Sequence, residues 1–171
     1  MEKEQQEKIG RGLQQAMRTE QEGYHFYMMA ANSTKDEKAK DIFSNLAKEE
    51  ADHLRFLKAQ RKSILEEGKV DKDIVLGKPR DLSGPNPIFS DDLCTRIGEA
   101  HYEMTALSIG IQLEINSEKY YRKPAEDSGH PEVARFFNEL ADWESGHYNA
   151  LLKQHDSMKE SYWREARFAP F

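Results

Sequence analysis

Cysteine is almost missing: Cys94 is the one thiol among 171 residues. A disulfide framework and any metal site built on several thiolates are excluded, and a reducing cytoplasm is the expected setting. Long apolar runs are missing too. No stretch approaches the ~20 residues that a membrane crossing requires, and the opening MEKEQQEKIG is too polar for a secretory leader. Nor is there an excess of positive charge. Lys and Arg number 25 against 31 Asp and Glu, a net charge of −6, so nothing favours a nucleic-acid backbone or an anionic membrane. Strand patterning is nearly absent.

What is there is helical periodicity, in four blocks of roughly 4–32, 35–66, 91–123 and 131–158. Thr34–Glu37, TKDE, reads as a capping box opening the second block. Ser90–Asp92 offers a cap and dipole-favourable acids to the third, and Pro131 suits the first turn of the fourth. The links after the first and third blocks are short, so each pair is expected as an antiparallel hairpin. Between the hairpins lies GKVDKDIVLGKPRDLSGPNPIF, too broken by Gly, Pro and Asp for a helix and long enough to travel the length of a bundle. The expected fold is all-α: a single ferritin-like four-helix bundle over 1–171, with hairpins at about 4–66 and 91–158 and one long crossover at about 67–90. A short C-terminal helical tail, 159–171, carries Tyr162, Trp163, Phe168 and Phe171 and is expected to pack on the bundle or on a partner subunit.

Each block has an inward seam at steps of three and four. The first runs Leu13, Met17, Glu20, Tyr24, Tyr27, Ala31, and the second Phe43, Leu46, Glu50, His53, Leu57. The third runs Leu107, Ile111, Glu114, Glu118, Tyr121, Ala125, and the fourth Phe137, Leu140, Glu144, His147, Leu151. Glutamates stand where leucines belong. The halves also repeat without a gap: Glu20 and Glu114, Glu50 and Glu144, and His53 and His147 are each 94 positions apart. Leu13/Leu107, Tyr27/Tyr121, Phe43/Phe137 and Leu46/Leu140 keep the same shift, as a duplicated hairpin packed about an approximate two-fold axis would. Glu49 has Trp143 as its counterpart, so Glu50 is the repeated acid.

Four bare carboxylates in one dry core would cost several kcal/mol each. Two divalent cations would balance them and leave the two imidazoles as neutral ligands. Residues i and i+3 of a helix lie ~4.5 Å apart along its axis and can reach one metal centre. Two Glu-x-x-His pairs and one glutamate from each remaining helix therefore make a dinuclear cage, the pattern already known from ferritin-like carboxylate proteins. Oxygen and imidazole donors suit iron or manganese, with zinc able to enter adventitiously.

Glu20, the segment EEADH ending at His53, Glu114 and the segment WESGH ending at His147 resemble the four ligand elements of the rubrerythrin family, across about residues 5–155. The resemblance implies two iron ions, with Glu50 and Glu144 bridging, Glu20 and Glu114 terminal, and His53 and His147 on one iron each. These six residues would carry a two-electron reduction of hydrogen peroxide, or of dioxygen. Full-length rubrerythrins append an iron–thiolate rubredoxin module; with Cys94 alone, this chain is expected to lack it and to draw electrons from a separate rubredoxin-like donor. Rubrerythrins also carry a further glutamate three residues beyond the third-helix ligand. Ser117 holds that position here, and the neighbouring Glu118 is either a substitute ligand or a bundle-end carboxylate.

Tyr24, Tyr27 and Tyr121 are expected in the core with hydroxyls tied to ligand carboxylates. His25, His101, His130 and His155 have no repeat partner and are expected at the surface. Gly110 should permit close helix approach, and Cys94 should be a packing residue. Phe26, Met28 and Trp143 lie outside the seam and suggest a homodimer. Three functions compete: a peroxide- or dioxygen-reducing oxidoreductase, a ferroxidase or iron-handling protein, and a non-enzymatic helical interaction module with protonated seam glutamates.

Overall fold

The computed structural model describes residues 1–165, apart from the side chains of Glu99 and Glu165; the tail phenylalanines Phe168 and Phe171 lie outside the described residues. Four long helices dominate: α1 (Lys3–Ser33), α2 (Glu37–Glu67), α4 (His101–Asp127) and α5 (Pro131–Glu165), with a short α3 (Asp91–Thr95) ahead of α4. Three residues join α1 to α2 and three join α4 to α5, which leaves each pair no geometry but an antiparallel hairpin. The hairpins then pack antiparallel to each other. Gln5 donates to the Ser128 carbonyl at one end of α1 and α4, and Thr34 donates to Glu103 at the other.

The fold is therefore the expected all-helical, ferritin-like bundle. The chain leaves α2 at one end and enters α4 at the opposite end, so residues 68–90 traverse its length. Gly68 ends α2 in the left-handed conformation (φ 71°) that glycine adopts without strain. The crossover lies over the α2–α5 face, held at its ends by two buried glutamines. Gln60 on α2 donates to the Asp71 carbonyl and accepts from the Asp71 amide. Gln154 on α5 accepts from the amides of Ile88 and Phe89. These glutamines are 94 residues apart, so they belong to the repeat.

Three boundaries differ from expectation. Asp36 rather than Thr34 caps α2, accepting from the Ala39 amide at 2.8 Å, while the Thr34 hydroxyl is drawn to Glu103. The third helix does not run unbroken from Ser90. α3 ends at Thr95, and a 3-10 corner over Ile97–Glu99 precedes α4, burying Leu93, Cys94, Ile97 and Ala100 in a turn that a straight helix would not allow. The last helix continues to Glu165, where Lys159 sits 4.7 Å over the Trp163 ring and Tyr162 stays exposed. Ser90 caps α3 as expected, accepting from the Leu93 amide.

The core is in two pieces. One gathers Tyr27, Phe43, Leu46, Phe89, Leu107 and Leu151; the other gathers Leu13, Phe56, Leu57, Tyr121, Phe137 and Leu140. A polar layer from the middle of all four helices separates them.

Candidate metal centre

Each long helix sends one acid into that layer. Glu20 comes from α1, Glu50 from α2, Glu114 from α4 and Glu144 from α5, none more than 3% exposed. One turn beyond the acids of α2 and α5 lie His53 and His147, also buried. The six side chains form two overlapping groups: Glu20, Glu50, His53 and Glu144 in one, and Glu50, Glu114, Glu144 and His147 in the other, with donor atoms in each group within 4.8 Å of one another. Glu50 and Glu144 belong to both.

Both histidines turn Nδ1 inward. His53 Nδ1 lies 3.4 Å from Glu20, 3.6 Å from Glu50 and 3.3 Å from Glu144. His147 Nδ1 lies 3.6 Å from Glu50 and 3.5 Å from Glu114. Neither Nδ1 has a hydrogen-bond partner among the described residues, and Glu144 Oε1 has none either. Buried polar atoms left without partners normally cost ~1–3 kcal/mol each. Here the orphaned atoms face one another around a shared centre, which is the arrangement a pair of cations needs.

Tyrosines fix the terminal acids. The Tyr27 hydroxyl donates to Glu114 and the Tyr121 hydroxyl donates to Glu20, each bond crossing between the hairpins. Burial, reinforced by the neighbouring carboxylates, raises both phenols well above their ordinary range, so they remain donors. Burial and the charge of Glu50 push Glu20 up to about 8. Glu144 is raised by burial and by Glu50, Glu114 and Glu20. Burial opposes the charged forms of His53 and His147, but the surrounding carboxylates outweigh it and raise both. Burial works against the charged form of Glu50 as well, yet the neighbouring Glu20 and the two imidazoles beside it hold it low. Without cations the cage gathers protons instead.

The Rubrerythrin family model matches residues 2–73 and 96–168. The chain belongs to the rubrerythrin family. No curated protein and no solved structure gives a significant match. The stretch between the matched segments, residues 74–95, is most of the crossover together with α3. The donor set and its orphaned atoms fit the dinuclear metal site that rubrerythrin membership suggests.

Around this rubrerythrin cage, other expectations fare unevenly. Glu118 belongs to neither group; it is partly exposed and pairs with Arg122 at 3.7 Å. Ser117 is buried. Tyr24 packs against one half-core with its ring edge-on to His25, and among the described residues its hydroxyl makes no hydrogen bond to a ligand carboxylate. Phe26 lies edge-on to Tyr27 and Met28 packs on the same half-core, so neither is a free surface residue. His25 and His101 are exposed, while His130 and His155 are half-buried. A Cβ on Gly110 would stand 3.2 Å from Leu151 Cδ1, so the close approach is real. Gly23 was missed by sequence reasoning: a Cβ there would press within 3.4 Å of the Glu50 carboxylate. Cys94 is buried and accepts from Gln154 at 3.6 Å.

Glu49 was missed too. Its Oε2 lies 2.7 Å from His147 Nε2, on the opposite hairpin, and its Oε1 accepts the Arg80 amide at 3.0 Å. Trp143, its counterpart in the repeat, stands 4.8 Å from the His53 ring and nearly perpendicular to it. Between the crossover and α5 opens a cleft of about 570 Å³ lined by Arg80, Leu82, Trp143, Gly146 and His147. No described helix is long and apolar enough to cross a membrane.

Proposed function

We propose that this chain is a non-haem di-iron oxidoreductase that reduces hydrogen peroxide, or dioxygen, with electrons from a separate rubredoxin-like donor, and that it works as a cytoplasmic homodimer. One observation carries the reading: six buried donors, paired by the repeat, share one layer of the bundle, with His53 Nδ1, His147 Nδ1 and Glu144 Oε1 left unpartnered within it. Glu20, Glu50, His53 and Glu144 would hold one iron and Glu50, Glu114, Glu144 and His147 the other, with manganese or zinc able to replace iron in vitro. Two ferrous ions held there would supply the two electrons needed to convert one hydrogen peroxide and two protons to two waters.

The protein's own contribution is position and dryness. Glu50 and Glu144, reaching both half-sites, keep the two positions at one spacing. Tyr27 and Tyr121 hold Glu114 and Glu20 in a single rotamer each by donating to them, so the ligands are oriented before any cation arrives. Apolar half-cores on both sides keep bulk water out. The cleft lined by Trp143, Gly146 and His147 is large enough for a molecule the size of peroxide and lies against the outer edge of the layer.

Ferroxidase action is the second reading, favoured by the position of Glu118 outside both groups, which leaves no fifth carboxylate in either group among the described residues to exchange during turnover. Stoichiometry separates the two. Anaerobic protein loaded with two ferrous ions should consume one peroxide, keep both irons through gel filtration and repeat the reaction after re-reduction. Release of ferric iron after each round, with many ferrous ions oxidised per chain, would replace the first reading with the second.

A further inference from the structure

The shift of 94 residues that relates the halves fails directly behind the two histidines of the metal layer. Position 49 is Glu and position 143 is Trp. Glu49 leaves the histidine of its own helix and reaches across to His147, taking Nε2 at 2.7 Å. Its other oxygen is fixed by the Arg80 amide, so the carboxylate cannot swing away without releasing the crossover. His147 thus has Nδ1 toward the cage and Nε2 toward an anion. His53 has the same Nδ1 geometry, but its Nε2 is buried without a hydrogen-bond partner among the described residues, against the Trp143 ring.

A carboxylate that accepts the outer N–H of a ligating imidazole fixes its tautomer and ring plane and makes the inner nitrogen a stronger donor. Loss of such a partner typically costs ~10–100-fold in metal affinity. We propose that Glu49 is a positioning residue that makes the two metal positions unequal, so that the His147 half-site fills before the His53 half-site by at least about tenfold in affinity. The inference rests on the dinuclear reading and adds an order of loading to it. A chain with one cation then carries it on the side of the Arg80–Trp143 cleft, with the His53 half-site still open.

Titration of the metal-free protein with cobalt(II), followed by calorimetry and visible absorption, tests this. Two steps separated by about tenfold or more are expected. Glu49→Gln should weaken the tighter step about tenfold, merging it with the second, which stays unchanged. A single class of equal sites in the unaltered protein would overturn the inference, as would a Glu49→Gln protein whose steps stay separated or weaken together. Should Glu49→Gln misfold, the unaltered chain decides alone. At one equivalent of cobalt(II), proton NMR should show one hyperfine-shifted imidazole N–H, exchanging slowly because Glu49 holds it; two signals of half intensity would sink the proposal. No cobalt binding at all would remove the dinuclear reading itself, whereas two equal steps would remove only the asymmetry.

Discussion

On the His147 side of the cage the imidazole is braced from behind by Glu49, and Glu49 is braced by the crossover; on the His53 side the corresponding nitrogen meets Trp143 and no polar partner. Inward of the imidazoles the halves agree. Glu20 and Glu114, Tyr121 and Tyr27, and Glu50 and Glu144 occupy equivalent places. The difference lies on the face that the crossover covers. Two hairpins can be related by a two-fold axis, but a single connecting segment cannot, so the contacts made by equivalent positions must differ wherever that segment touches the bundle. On the dinuclear reading, a pair of cations would set the same demands on both halves of the ligand layer. The unduplicated crossover sets the demands one layer out.

Removing what the halves share should have the largest effect. Glu50→Ala and Glu144→Ala each delete a carboxylate common to both groups, so each should lower bound metal from two per chain to below one and abolish the rise in melting temperature that metal brings. Metal analysis after gel filtration, with melting curves in the presence and absence of chelator, checks this. Full occupancy in both variants would mean that neither acid is shared.

That six side chains would meet in one layer was legible because two periodicities coincided. The three–four step put the acids on the buried face, and the 94-residue shift picked those acids out from their charged neighbours. The crossover was legible as a segment and a length, not as a path. Its path depends on Gln60 and Gln154, whose amides look like ordinary helix-surface residues until the backbone of Asp71, Ile88 and Phe89 arrives beside them. The break between α3 and α4 escaped for the same reason, since Ser90 is tied to Asp36, the cap of α2, far away in sequence. Thr34 has the right spacing for a capping box, yet Asp36 sits closer to the free amides and frees Thr34 for Glu103. Glu49 was set aside because its counterpart is Trp143. That mismatch was itself the signal, because the identity of a residue behind a ligand is free to differ where the ligand is not.

Acid should separate the loaded from the metal-free cage by sign. Without cations, Glu20 is raised from 4.5 to about 8 and Glu144 is raised as well, so over this range the folded protein binds more protons than the unfolded chain. Stability from these groups is complete below about 4.5 and is lost as pH rises toward about 8. Raised His53 and His147 act in the same direction above their ordinary value of 6.5, and the lowered Glu50 acts oppositely only below 4.5. The metal-free melting temperature should therefore fall between pH 4.5 and 8. Cations compete with the same protons, so the metal-loaded protein should become more stable over that interval. Parallel slopes for the two forms, in melts monitored by circular dichroism, would show that the cage does not hold these protons.

The smallest of these effects belongs to the paired glutamines, and it sharpens the rule that the halves diverge where the crossover rests. Gln154 gives one carbonyl oxygen to two amides, those of Ile88 and Phe89, both residues being fully buried. Gln60 exchanges one bond each way with Asp71, which is half-buried and can turn to water. Truncation should therefore be unequal. Gln154→Ala strands two amides with no route to solvent and should cost about 2–3 kcal/mol, whereas Gln60→Ala should cost about 1 kcal/mol or less. Denaturant titrations of the metal-loaded protein read the difference directly. Both variants should keep two metals, because neither glutamine touches the cage. Equal costs would mean that the crossover is held by its apolar contacts, Ile88 and Phe89 against the half-core, rather than by the repeated glutamines.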